Sequence, residues 1–72
     1  MKLTEANAGL MQNGGFCLDP IGDIFVNPQQ VAWLKADDEF DCARIGANGA
    51  SFLVLESVEE VQAQLAAAGV EL

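Results

Sequence analysis

Polar and apolar residues fail to alternate near the end of this chain. Phe52-Leu53-Val54-Leu55 is apolar at every position. A strand with one solvated face alternates apolar and polar. This run is therefore expected to be covered on both sides. Asn48-Gly49 precedes it, between Phe40–Ala47 and Ala50–Leu55. Asn-Gly between two apolar runs signals a hairpin, because a type I′ turn needs positive φ at both central residues. With that pair as the loop, Ala47 faces Ala50, Ile45 faces Phe52 and Ala43 faces Val54. On the other side Arg44 faces Leu53, and Cys42 faces Leu55.

The period then changes. Val58, Val61, Leu65 and Ala68 share one stripe of a helix, while Glu59, Gln62 and Gln64 lie off it. Ser57 is a good N-cap, and Glu60 three residues later completes the capping-box pattern. Glu59 and Glu60 suit the positive end of the helix dipole. Gly69 can take a left-handed stop, with Val70 supplying the apolar contact of a Schellman motif. Start, stripe and stop together predict a helix over Ser57–Ala68.

Upstream the signals are shorter. Residues 1–12 read as a short helix capped by Thr4, or as irregular chain, with an edge strand as the alternative. Asn13-Gly14-Gly15 reads as a turn. Phe16-Cys17-Leu18 reads as a strand stopped by Asp19-Pro20, and Ile21-Gly22 as loop. Asp23–Val26 reads as another strand, closed by Asn27-Pro28. Gln30–Lys35 reads as a strand with Trp33 and Leu34 on opposite faces, and Ala36–Glu39 as a polar turn. The fold class is thus α+β, in a single small domain over residues 1–72. It is an antiparallel meander of four or five strands, open or curled like a barrel, followed by one helix over about 57–68. One helix covers one face of such a sheet. The other face needs the N-terminal segment, curling of the sheet, or a second subunit.

Composition sharpens this. A 72-residue chain buries only about 60% of its unfolded surface. Yet 51% of its residues are hydrophobic and 19% are charged. The apolar excess points to a surface that meets another chain. Three Lys/Arg against eleven Asp/Glu give a net charge of −8. Phosphate backbones and anionic membranes are held by Lys and Arg. Lys2, Lys35 and Arg44 are too few, so neither nucleic acid nor membrane is expected as a partner. The residues after Lys2, LTEANAGLMQNGG, form no apolar signal core. A cytoplasmic location, or incorporation into an assembly from the cytoplasm, follows as the expectation. Cys17 and Cys42 are then expected to be reduced and buried.

Catalytic chemistry is thin. The chain has no His and no Tyr. Ser51 and Ser57 have no base at a recognisable spacing, and neither cysteine has a basic context or a C-x-x-C partner. Two lone cysteines do not make a zinc site. Asp37, Asp38, Glu39 and Asp41 lack the spacing of a calcium loop and read as a solvated turn. The glycines form no phosphate-binding motif. No enzyme activity, cofactor or metal is expected. Phe16, Phe25, Phe40, Phe52 and Trp33 lack the neighbouring cations of a base-stacking platform and favour packing instead.

From Asp23 onward the chain resembles the small FlbD-like (swarming-motility) family of flagellar-locus proteins. The resemblance rests on Asn27-Pro28 after an apolar strand, the Asn48-Gly49 hairpin, and the Glu56–Val61 helix start, ESVEEV. More distantly, the order of strands and a hairpin ending in a helix is similar to LytTR-type DNA-binding domains. The resemblance transfers topology at most and no functional residue; a bacterial or bacteriophage origin suits so short and enzyme-poor a chain.

The function expected is that of a non-catalytic accessory or assembly protein, acting through protein–protein contacts as a homo-oligomer. The alternative is an acidic nucleic-acid mimic that inhibits a basic protein. A small regulatory DNA-binding domain is the third reading. The candidate interface is Trp33, with Val31 and Phe25 near it, and Phe40, Leu53 and Leu55.

Overall fold

A computed structural model describes residues 1–10 and 15–72. Five strands and one α-helix follow in order: β1 (Lys2–Leu10), β2 (Phe16–Phe25), β3 (Val31–Ala36), β4 (Ala43–Ala47), β5 (Ala50–Val54) and α1 (Val58–Ala67). A single turn of 3₁₀-helix, Pro28–Gln30, joins β2 to β3. The strands form one sheet in the order β2-β1-β5-β4-β3. Every pairing is antiparallel. The α+β class is as expected. The sheet is open, with β2 and β3 at its edges, and does not close into a barrel.

The β4–β5 register is the one that Asn48-Gly49 specifies. Ala47 pairs with Ala50, Ile45 with Phe52, Arg44 with Leu53 and Ala43 with Val54. Asn48 and Gly49 take φ of 54° and 77°, as a type I′ turn requires. The helix is capped as read. Ser57 Oγ accepts the Glu60 N–H at 3.2 Å. At the other end Gly69 takes φ 78°. The Val70 N–H donates to Leu65 O and the Gly69 N–H to Ala66 O, the two bonds of a Schellman stop.

The N-terminal segment departs from the helical or irregular reading. Lys2–Leu10 is a strand in the interior of the sheet, between β2 and β5. Its Ala, Asn and Gly are poor strand formers, but tertiary pairing overrides them. The β2 ladder runs from Lys2↔Phe25 to Leu10↔Phe16. The Met1 amino group and carbonyl extend it by pairing with Val26. Glu56 anchors the other side, accepting the Thr4 N–H at 2.9 Å and the Thr4 hydroxyl at 3.2 Å.

Asp19-Pro20 does not end the next strand, and Ile21-Gly22 is not a loop. Phe16–Phe25 is one strand with a bulge, the register shifting between Glu5 and Ala6. Proline is tolerated there because β2 is an edge strand and Pro20 sits beside the bulge. The turn read at Asn13-Gly14 lies outside the described residues. Gln30 belongs to the 3₁₀ turn, and residues 40–42 belong to the turn before β4 rather than to the strand. Trp33 and Leu34 do face opposite sides.

The core sits between the sheet and α1. Leu3, Ile45 and Val54 from the sheet meet Val61 and Leu65 from the helix, with Val31 and Ala43 beside them. A second, smaller cluster lies on the opposite side of the sheet, where Ala6, Cys42 and Leu53 are buried with Leu18 and Phe40 packed on them. The molecule is elongated, 43 × 19 × 18 Å. Its long dimension fits the β1–β2 ribbon, because β1 pairs with β5 only at Glu5↔Val54 while its ladder with β2 continues to Leu10.

Candidate interaction surface

The side of the sheet away from α1 is built from alternate residues of β3, β4 and β5. Trp33 and Lys35 project there from β3, Arg44 and Gly46 from β4, and Ser51 and Leu53 from β5. Gly46 lies directly opposite Trp33. A Cβ at Gly46 would strike Nε1 and Cε2 of the indole, so the missing side chain is what lets the ring lie flat on β4. The ring remains 40% exposed. Lys35 Nζ lies 5.8 Å from the ring centroid, within cation–π range. A shallow groove of about 240 Å³, lined by Ala32, Trp33, Gly46, Gly49 and Ser51, opens beside it.

The 37–42 turn closes one end of this side. Asp37 is its organiser rather than a merely solvated acid. Its Oδ2 accepts the N–H groups of Glu39 and Phe40 at 3.0 and 3.1 Å. Its Oδ1 accepts Arg44 Nε at 2.8 Å. The Glu39 N–H, then the Arg44 guanidinium, hold the Asp37 carboxyl below its ordinary pKa of 3.8. This turn carries Phe40 onto the smaller cluster. Burial, with Asp37 adding to it, pushes the Cys42 thiol up and keeps it protonated at neutral pH. Cys17 is half-buried and, like Cys42, a free thiol. It neighbours Leu18, which belongs to the Cys42 cluster, and so points to the opposite face of its strand.

The expected interface residues therefore divide. Trp33, Phe25 and Leu55 are exposed, with Phe25 at 79%. Phe40 is half-buried. Val31 is only 6% exposed and belongs to the core under α1, so it is withdrawn from the interface. Leu53 is only 7% exposed and is filled in by Ala6 and Cys42. Phe25 does not adjoin Trp33. It lines a separate groove of about 370 Å³ with Ile24, Val26, Asn48 and Phe52. The two grooves flank the Asn48-Gly49 turn and share Ala47 and Ala50.

Each cation has a place within the chain. Lys2 pairs with Asp23 at 3.4 Å, Arg44 with Asp37, and Lys35 with the Trp33 ring. The carboxylates are spread over β1, β2, the 37–41 turn, the start of α1 and the C-terminus. Among the described residues, no three His, Cys, Asp or Glu side chains gather as a metal site. No described helix is long and apolar enough to cross a membrane. Sequence reasoning missed two residues that position this surface, Asp37 and Glu56. An acidic residue closing a short turn ahead of an Arg, and a Glu just before the N-cap, were the available signals.

No protein-family model matches this chain, and no curated protein and no solved structure matches it.

Proposed function

We propose that this is a non-catalytic accessory or assembly protein that works by contacting protein, including further copies of itself. It would act in the cytoplasm or in an assembly built from it. The exposed Trp33 carries this reading. A large ring carried by the strand that ends its sheet, laid over a glycine of the neighbouring strand and with a cation over it, is a preorganised contact. The exposed Phe25 and Leu55 add apolar surface to a domain of this size. The pairing of every cation within the chain disfavours a phosphate ligand. The likeness to FlbD-like proteins suits such a role at a bacterial or phage locus.

Sedimentation velocity from low to high micromolar concentration tests the proposal. A sedimentation coefficient that rises with concentration is expected. A monomer throughout, with no protein co-purifying from the native host, would remove it.

A further inference from the structure

The two edges of the sheet are not equivalent. On β2, Pro20 lacks an N–H, the bulge breaks the register, and Asp19 and Asp23 flank that bulge. These are the devices by which proteins protect an edge from pairing with another chain. β3 reads Val-Ala-Trp-Leu-Lys-Ala and carries a single charge. Its register with β4 is regular from Trp33 to Ala36.

The Asp37 N–H donates to the Cys42 carbonyl of the turn leading into β4, at 2.9 Å. In an antiparallel ladder both backbone groups of a residue point to the same side, and the side alternates along the strand. Trp33 and Lys35 therefore bond towards β4. Leu34 and Ala36 direct their N–H and C=O groups outwards, where the sheet order has no further strand.

We infer that β3 is a dimer edge, pairing antiparallel with β3 of a second copy about a two-fold axis at Leu34. This rests on the self-association reading above. At Leu34 the N–H and C=O of each copy exchange two bonds. The same register sets Trp33 of each copy directly opposite Lys35 of the second copy, on the side away from α1. Each ammonium then meets a ring, and no like charges face each other. Moving the axis to Lys35 would oppose two ammonium groups. Moving it to Ala36 would bring Lys35 to Asp37 of the second copy, a carboxylate already held by Arg44. With its axis at Leu34 the strand is thus complementary to itself, and this complementarity points to a second copy as its occupant.

Ala36→Pro tests this. It removes an outward N–H and no bond to β4, and the Ala36 side chain is exposed. The wild type is expected to sediment as a dimer. Ala36→Pro is expected to sediment as a monomer at the same concentrations, with an unchanged circular dichroism spectrum. An Ala36→Pro protein that dimerises like the wild type overturns the β3 edge while leaving self-association standing. A wild type that is monomeric throughout overturns both. Should Ala36→Pro fold poorly, Lys35→Glu carries the test. It should weaken the dimer by about tenfold through loss of both cation–π contacts, and an unchanged dissociation constant would overturn the register.

Discussion

The two faces of the β4–β5 hairpin carry comparable apolar residues and end in different states. On one, Ile45 and Val54 are sealed under Val61 and Leu65 of α1. On the other, Leu53 and Cys42 are covered, among the described residues, by Ala6, Leu18 and the Phe40 turn, and Trp33 and Leu55 remain exposed. The apolar pattern of a strand shows that cover is needed, and the rest of the chain decides how much is supplied. With one helix, this domain completes one side. Stability comes mainly from the sealed side, and contact is proposed for the open one.

The largest expected effect separates the two sides directly. Ile45→Ala should cost about 2–5 kcal/mol, because it opens a cavity where nothing is free to collapse. Leu55→Ala, on the exposed side, should cost less than about 1 kcal/mol. Chemical denaturation measures both, and equal losses would erase the distinction.

Next comes Glu56, which ties β1 to the start of the helix. Glu56→Ala removes the acceptor of the Thr4 N–H and hydroxyl. A loss of about 1.5–3 kcal/mol is expected for bonds to a charged acceptor, with hydrogen exchange rising first in β1. A loss confined to α1 would place the role of Glu56 elsewhere.

These two predictions mark what the chain made legible. The β4–β5 register and both helix ends were readable because Asn48-Gly49, Ser57 and Gly69 are local signals, each acting over a few residues. β1 was not, since its strand state depends on β2 on one side and Glu56 on the other. Pro20 looked like a stop because proline reads so locally, and only the position of β2 at the sheet edge makes it acceptable. Trp33 was identifiable as a contact residue by type, but the glycine beneath it needed the β3–β4 register. Val31 and Leu53 read as interface residues because sequence shows that a residue is apolar and not what lies over it.

Gly46→Ala sharpens the open side. The added methyl collides with the Trp33 ring, which must lift from β4. A stability loss of about 1–3 kcal/mol and a red-shifted indole emission are expected. Unchanged fluorescence would show that the ring does not rest on Gly46.

The smallest effect is a pH dependence. The Asp37 carboxyl titrates lower in the folded chain than its ordinary 3.8. A depressed folded pKa gives stability that is complete above the unfolded value and is lost as pH falls from about 4 through the folded value. Asp37→Asn should flatten that part of the acid profile and leave the neutral region's slope unchanged. A profile of unchanged slope below pH about 4 would remove Asp37 from the turn's support.

Amide hydrogen exchange along β3 separates the residues bonded to β4 from those at the open edge. Trp33 and Lys35 bond to β4 within one chain, so their amides should be protected at every protein concentration. Leu34 and Ala36 face the open edge. Their amides should exchange rapidly in dilute solution and become protected as concentration rises. Rapid exchange at Leu34 and Ala36 at all concentrations would contradict the account.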